Sequence, residues 1–185
     1  GGSGKTTAAL NLGVALVNLG KQVVLVDANL HAPHVGVHLG SSPPEFNINK
    51  VLRGEAEMRP YRHPSGLGVV PASISYREAK EASHQNLREA IRQLHGKADI
   101  VLIDTSAGIG PMVQSALEAA DETIIVVTPD LPSVTDALRT IRLAQEVGTT
   151  VLGIILNKVR GDNLELSRNN VEQLLEKPVI AVIPE

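Results

Sequence analysis

The chain begins with the seven residues Gly1, Gly2, Ser3, Gly4, Lys5, Thr6 and Thr7. Glycines allow backbone N–H groups to approach a polyphosphate closely, and a helix that opens from the loop adds positive potential at its amino end. In such a loop Lys5 would neutralise the β- and γ-phosphates, Thr6 would ligate Mg²⁺, and Thr7 would reach the α-phosphate. The stretch therefore predicts a site for a magnesium–nucleoside triphosphate. The alternative is an ordinary glycine turn.

A helix is predicted directly after this loop. Between residues 5 and 19 apolar side chains recur at helical spacing, and Gly20 follows, where glycine commonly ends a helix. The side chains assigned to the apolar face are Ala8, Leu12, Ala15, Leu16 and Leu19. The next run, residues 22–27, is rich in β-branched residues and ends in Asp27. It predicts a buried parallel strand with a carboxylate at its carboxyl end.

The rest of the chain alternates predicted strands and helices. Strands are predicted at 67–71, 98–104, 122–128, 150–156 and 179–183, and helices near 47–53, 87–94, 111–120, 133–147 and 165–176. Turn-forming residues at 28–46 predict a functional loop, and 59–64 a solvated one. Strands separated by such helices need parallel crossovers, which predicts an α/β fold with a mainly parallel central sheet and helices on both faces. Ligands are then expected at the carboxyl ends of the strands.

The composition limits the possible functions. The 185 residues are 43% hydrophobic, which is enough for one core, and we expect one domain. The absence of Cys excludes disulfides and iron–sulfur ligation by cysteine. A net charge of -3 provides no overall positive field for nucleic acid. Because no run reaches the roughly 20 apolar residues of a membrane span, we expect a cytoplasmic protein.

Asp104 ends an apolar strand and is followed by Thr-Ser-Ala and Gly108. This arrangement is typical of an acidic residue near the magnesium, followed by a turn that senses the γ-phosphate through the Gly108 N–H. Asp104 could instead cap a helix. Ser106 could take that role, because Pro111 lies near the start of the next helix.

Asp27 is the second carboxylate at the end of a strand. With Asn29 and the loop that follows, it could act on the attacking water and on the solvent shell of the metal. His31, His34 and His38 lie in the same loop and suggest a metal site by their number. Their spacing within a turn-rich loop, with no Cys or second acidic cluster nearby, favours solvated or surface-packed histidines.

Taken together, these motifs resemble the MinD/ParA family of ATPases, whose deviant P-loop reads Lys-Gly-Gly-x-Gly-Lys-Thr-Thr. Residues 1–7 match all but the leading lysine, 26–40 look like the first switch of the family, and 104–108 look like the second. The segments 128–130, 156–158 and 182–185 also occur in family order. The resemblance covers essentially the whole chain and is closest to the MinD branch, particularly the archaeal MinD-like proteins.

The resemblance implies a P-loop ATPase domain over residues 1–185, with ATP and Mg²⁺ as cofactors. The metal would be held by Thr6 and, through water, by Asp104. Asn157 would contact adenine, and the backbone around Pro184 would close the base pocket; without the resemblance, Asn157 reads as a turn residue at a strand end. The family further implies an ATP-dependent homodimer that acts as a switch in spatial regulation, in the MinD branch the positioning of the division site.

Three features depart from the family pattern. A P-loop normally follows a buried strand, so we expect a fragment that lacks at least its first strand and the family's signature lysine. A membrane-targeting helix is expected only in the parent protein, where it would give peripheral membrane association. Asn29 stands where many members carry Asp, so hydrolysis is expected to be slow. The partner protein is unspecified by the sequence.

Two other functions are compatible with these motifs. One is an ATP-gated adaptor with negligible hydrolysis, which the neutral amide of Asn29 would favour. The other is a ParA-like partition ATPase whose dimer carries DNA, against which the acidic charge balance argues.

Overall fold

Two compact units are formed by the residues that the computed structural model describes, which are 2–40 and 46–185. The N-terminal unit comprises Thr6–Ser106. The C-terminal unit comprises Ala107–Glu185 together with the described residues up to Lys5. Helices and strands alternate along the chain, and the α/β class predicted from the sequence is confirmed.

The helices and strands have the following bounds. The α-helices in the described residues are α1 (Lys5–Asn18), α2 (Val35–His38), α3 (Ile48–Leu52), α4 (Tyr76–Glu81), α5 (Leu87–Arg92), α6 (Pro111–Ala119), α7 (Leu131–Val147) and α8 (Arg168–Leu175), and a 3₁₀ helix covers His84–Asn86. The strands are β1 (Val23–Asp27), β2 (Tyr61–Arg62), β3 (Gly68–Val70), β4 (Ile100–Asp104), β5 (Glu122–Val127), β6 (Thr150–Val159) and β7 (Val179–Pro184).

The sheet of the N-terminal unit has the strand order β2-β3-β1-β4. Strand β1 is parallel to both of its neighbours, whereas β2 is antiparallel to β3. Every residue of β1 is buried, as expected for an apolar strand that is covered on both faces. The register pairs Asp27 with Asp104, so the two predicted strand-terminal carboxylates lie side by side at the same edge of the sheet.

Helix α1 buries a stripe that agrees with the predicted one only in part. Its buried residues are Leu10 and Gly13, whereas Ala15 is exposed and Leu19 is 77% exposed. A Cβ at Gly13 would lie 3.0 Å from Cδ1 of Leu67, so the absence of a side chain lets the helix approach that residue closely. Of the predicted face, Leu16 packs half-buried against the core, together with Ala9, Val14 and Val17, which were not assigned to that face.

The sheet of the C-terminal unit has the order β5-β6-β7 and is parallel throughout. Its core is built from residues of these strands together with α6, α7 and α8. Helix α7 has clear end signals: the Asp130 side chain accepts the Ser133 N–H at its start, and Gly148 adopts a left-handed conformation at its end. Both sheets thus have the parallel crossovers that the alternating pattern predicted.

Three other elements differ from the sequence prediction. Tyr61–Arg62 forms β2, whereas the sequence predicts a solvated loop at 59–64. A run of two residues is too short to produce a recognisable strand pattern. Helix α4, capped by Ser75, was not predicted. Helix α8 begins at Arg168 after the Ser167 cap, three residues later than expected.

The predicted loop at 28–46 includes the short helix α2, and the part of it at 41–45 lies outside the described residues. No helix among residues 2–40 and 46–185 combines the length and the apolar character needed to cross a membrane.

Candidate active site

Asp27 and Asp104 end the adjacent strands β1 and β4 and are both almost completely buried. Asp27 is 0% exposed and Asp104 is 3% exposed. The Ala28 N–H donates to the Asp104 carbonyl at 2.8 Å, which keeps the two strand ends together beyond the last register pair. Two buried carboxylates therefore occupy the edge of the sheet where ligands of parallel α/β folds bind.

Thr6 meets one of these carboxylates. Its Oγ1 donates to Oδ2 of Asp104 at 2.6 Å, across 98 residues of sequence. Neither of the capping alternatives for this segment is observed, because α6 is preceded by Gly110 and has no side-chain cap from Asp104 or Ser106. The structure thus brings together the two residues that were predicted to hold the metal.

Asp27 binds the segment that follows β1. Its two oxygens accept the N–H groups of Asn29 at 3.0 Å and Val35 at 3.2 Å. The pKa of Asp27 is raised to about 7, chiefly by burial and in smaller part by the nearby Asp104, against the opposing effect of the backbone N–H donors. A buried carboxyl with this pKa exchanges its proton near neutral pH.

The donor set at these strand ends suits Mg²⁺. Magnesium prefers oxygen ligands and is commonly held by one or two carboxylates together with substrate phosphates. Here a hydroxyl, Thr6, and a carboxylate, Asp104, lie within 2.6 Å of each other, and a second buried carboxylate follows the adjacent strand. A divalent cation would also offset the repulsion that contributes to the raised pKa of Asp27.

The glycine loop has the backbone conformation expected of a phosphate cradle. Gly2 and Gly4 have φ angles of 92° and 87°, in the left-handed region that glycine tolerates. Helix α1 begins at Lys5, and its first turn contains no acidic residue to compete with an anion. The Lys5 Nζ donates to Ser3 Oγ at 3.3 Å. Gly1, also predicted to bind nucleotide, lies outside the described residues.

Asn157 contacts this loop within the C-terminal unit. It belongs to β6, which continues to Val159, and is therefore not a turn residue at a strand end. Its Nδ2 donates to the Ser3 carbonyl at 2.8 Å. A Cβ at Gly4 would lie only 2.3 Å from the same Nδ2. No spacing rule links residues 154 positions apart, so this contact was not predicted.

The remaining predicted site residues are placed as follows. Gly108 has a φ of 93° in the connection between β4 and α6. Pro184 pairs with Val159 in the ladder of β6 and β7. Thr7 is exposed, and its carbonyl accepts the Asn11 side chain at 2.8 Å. The phosphate and adenine contacts assigned to these residues remain predictions.

A cavity of about 410 Å³ lies at the carboxyl ends of β6 and β7, within the C-terminal unit. Its walls include Leu156, Val159 and Val182, together with part of the connection from β6 to α8. Neither Asn157 nor Pro184 belongs to its lining. The two residues predicted to contact adenine therefore lie next to this cavity in sequence but do not form its wall.

The histidines of the predicted switch loop are exposed. The rings of His34 and His38 meet edge to face at 6.3 Å between centroids, and His38 Nδ1 lies 2.8 Å from the His34 carbonyl. In the part of the chain that the structure describes, no group of three or more His, Asp or Glu residues is arranged to hold a metal ion.

Known proteins resemble this chain along its whole length. Residues 1–185 match the model of the CobQ/CobB/MinD/ParA nucleotide binding domain. An uncharacterized ATP-binding protein of Methanocaldococcus jannaschii is 37% identical over 187 residues, which cover 100% of this chain and 71% of the relative. The chain belongs to the MinD/ParA family.

Solved structures agree with this assignment. The septum site-determining protein MinD of Pyrococcus horikoshii, complexed with Mg-ADP, matches with a TM-score of 0.94 at 30% identity, over 100% of this chain and 77% of that one. The MinC:MinD cell division protein complex of Aquifex aeolicus contains a match with a TM-score of 0.87 at 29% identity, over 100% and 78% of the two chains.

The resemblance predicted from the motifs is thus confirmed, and so is the P-loop fold. Members of the MinD/ParA family are ATPases, and the P. horikoshii relative carries a magnesium-bound adenine nucleotide. The predicted cofactors, ATP and Mg²⁺, are those of the family.

Proposed function

We propose that this chain binds Mg–ATP and hydrolyses it slowly, as a switch that positions the site of cell division. The observation that carries the proposal is the 2.6 Å hydrogen bond between Thr6 and Asp104. It joins the first turn of the P-loop helix to the end of β4, as a magnesium site of this family requires. The MinD structures of Pyrococcus and Aquifex support the assignment to cell division.

Each site residue has a role that follows from its chemistry. Lys5 binds the β- and γ-phosphates, since its ammonium follows directly on the loop glycines. Thr6 and Asp104 hold the metal, which when bound neutralises charge that develops on the transferred phosphoryl group. Asp27 orients the attacking water and accepts its proton, for which a pKa of about 7 is well suited.

The bonds of Asp27 explain how a nucleotide could switch the loop. Its carboxylate anchors the backbone at Asn29 and Val35, and Val35 is the first residue of α2. A water or metal that competes for the same oxygens weakens these anchors and shifts the population of loop conformations. Ligand binding at the site thereby changes the backbone conformation of residues 28–38.

The partners in the proposal follow the family. Two subunits sandwich ATP and Mg²⁺, hydrolysis separates them, and the cycle times contact with a regulatory protein and, in the parent protein, with a membrane surface. The MinC:MinD complex of Aquifex shows that a relative acts with a protein partner. Nucleic acid is not part of the proposal, because the net charge is -3.

Phosphate release tests the enzymatic part. The purified protein should release phosphate from ATP in the presence of Mg²⁺, whereas Lys5→Ala should release none above background. Chelation of the metal should reduce the wild-type rate to that of the variant. Equal rates for wild type and variant, with lipid vesicles present as well as absent, would disprove the ATPase assignment.

An ATP-gated adaptor is the second candidate, and Asn29 is the observation that favours it. Its neutral amide cannot act as a base, and its backbone N–H is already bound to Asp27. Sedimentation with Mg–ATP separates the two functions. A stable dimer without phosphate release indicates the adaptor, whereas a dimer that decays as phosphate appears indicates the switch.

A further inference from the structure

Asn157 holds the carbonyl of Ser3, the residue that precedes the last glycine of the loop. The distance from its Nδ2 to the carbonyl oxygen is 2.8 Å. A carbonyl can only accept, so the amide must present its nitrogen to Ser3 and keep its own oxygen away from it. This contact lies entirely within the C-terminal unit, where β6 carries Asn157.

The bond fixes the orientation of a peptide plane. In a trans peptide the C=O and the N–H point in opposite directions across the same plane. Because the Ser3 carbonyl points toward Asn157, the N–H of Gly4 points away from Asn157. That N–H belongs to the glycine loop, whose amides form the expected phosphate cradle.

The amide also occupies the space beside Gly4. A Cβ there would lie 2.3 Å from Nδ2 of Asn157, closer than side-chain carbons approach other atoms. Gly4 has a φ of 87°, which only glycine adopts readily. Two separate constraints, the hydrogen bond and the close packing, therefore act on the same peptide.

We propose that Asn157 is a positioning residue for the glycine loop, which fixes the Ser3–Gly4 peptide so that the Gly4 N–H faces the phosphates before they bind. The proposal rests on the proposed nucleotide-binding function and deepens it. Its distinguishing consequence is that Asn157 contributes to the binding of a polyphosphate without a base. A residue that only reads adenine would make no such contribution.

The test compares two ligands, Mg–ATP and Mg–tripolyphosphate, on the same variants by titration calorimetry. Asn157→Ala removes the amide, and Asn157→Leu keeps its approximate size without a donor. Both variants should bind tripolyphosphate about 5- to 10-fold more weakly than wild type, the effect expected for one lost hydrogen bond. ATP binding should weaken by at least the same factor.

Asn169→Ala is the matched control, because Asn169 is an exposed asparagine on α8 of the same unit. It should leave both affinities at wild-type values. Unchanged tripolyphosphate binding by both Asn157 variants, with weaker ATP binding, would assign the residue to the base and overturn the proposal. Unchanged affinities with a lower melting temperature would overturn it in favour of a purely structural role.

A second measurement covers the case in which the variants do not fold. In wild-type protein, a through-hydrogen-bond NMR coupling between the Asn157 side-chain nitrogen and the Ser3 carbonyl should be present before tripolyphosphate is added and should persist afterwards. Loss of the coupling on binding would overturn the proposal. Absence of ATP binding by wild-type protein would instead overturn the proposed function, and this inference with it.

Discussion

The carboxylate cluster of the N-terminal unit and the glycine loop of the C-terminal unit are stabilised in different ways. The carboxylate cluster comprises the two buried carboxylates Asp27 and Asp104 and the half-buried Thr6, and burial raises the pKa of Asp27 to about 7. The glycine loop, residues 2–5, is held by the positive φ angles of Gly2 and Gly4 and by the amide of Asn157. In the cluster the two carboxylates repel each other, whereas the backbone of the glycine loop already has the conformation expected for phosphate binding.

This difference separates two contributions to nucleotide binding. The cluster gains from a cation, because two adjacent carboxylates repel each other until one is neutralised. The loop gains from preorganisation, because N–H groups that are already oriented do not lose entropy on binding. Substitutions in the loop should therefore affect any polyphosphate, whereas those in the cluster should act through metal and pH.

The largest effect is expected from Gly4→Ala. The new Cβ would clash with Nδ2 of Asn157 and would force alanine into a positive φ, a strain of about 1–3 kcal/mol before the clash is counted. We expect affinity for both Mg–ATP and Mg–tripolyphosphate to fall about 100-fold or more. Calorimetric titration checks this. Near-normal affinity would mean that the loop is not preorganised in this way.

Asp104→Asn should produce the next largest effect, confined to metal-dependent binding. The carboxylate that accepts the Thr6 hydroxyl becomes a neutral amide. We expect the affinity for Mg–ATP to fall about 10- to 100-fold, or about 1.4–2.8 kcal/mol. ATP affinity measured in EDTA should change much less. An equal loss with and without Mg²⁺ would show that the cluster does not act through the cation.

Asp27 should make the unliganded protein less stable as the pH rises. Its folded pKa is raised from 3.8 to about 7, so the folded protein binds the extra proton between these values. The stabilisation is present below the unfolded pKa and is lost as the pH rises through the folded pKa, by at most about 1.4 kcal/mol per pH unit.

Asp27→Asn isolates this dependence. Urea unfolding in EDTA at pH 5, 6, 7 and 8 should show the free energy of unfolding of the wild type falling relative to that of the variant, by about 1–3 kcal/mol across the series. Adding Mg²⁺ and ATP should reduce the difference, because the charged form is then compensated. Parallel pH curves for the two proteins would rule out a raised pKa at this position.

Asn29→Asp should give the smallest effect. The backbone N–H of residue 29 still donates to Asp27, so the loop anchor is retained, and the new carboxylate adds a base beside the expected water position. We expect the phosphate-release rate to rise about 3- to 10-fold, with ATP affinity nearly unchanged. A rate equal to that of wild type would remove Asn29 as the cause of slow hydrolysis.

The sequence predicted the carboxylate cluster well and the loop only in part. Asp27 and Asp104 each end an apolar run, and parallel strands bring their carboxyl ends to one edge, so their proximity follows from local patterns. The glycines likewise predicted a phosphate loop from a local pattern. Asn157 was assigned to adenine, and its bond to Ser3 depends on a tertiary contact that no local pattern encodes.

The fold shows the same division. Strands with continuous apolar runs, such as β1 and β4, were located within a residue or two. The two-residue strand β2 was missed, and the buried stripe of α1 was predicted only in part. In both cases a segment elsewhere in the chain supplies a contact that the local pattern does not show: β3 pairs with Tyr61, and Leu67, just before β3, approaches Gly13.

That approach of Leu67 to Gly13 also limits how the N-terminal unit can move. With 3.0 Å between Leu67 Cδ1 and the position of a Cβ at Gly13, α1 has little room to slide or rotate over its core. A piston-like displacement of the helix that carries Thr6 would need repacking at this contact. We therefore expect a nucleotide signal to leave the site through the backbone that follows β1, while the P-loop helix keeps its position.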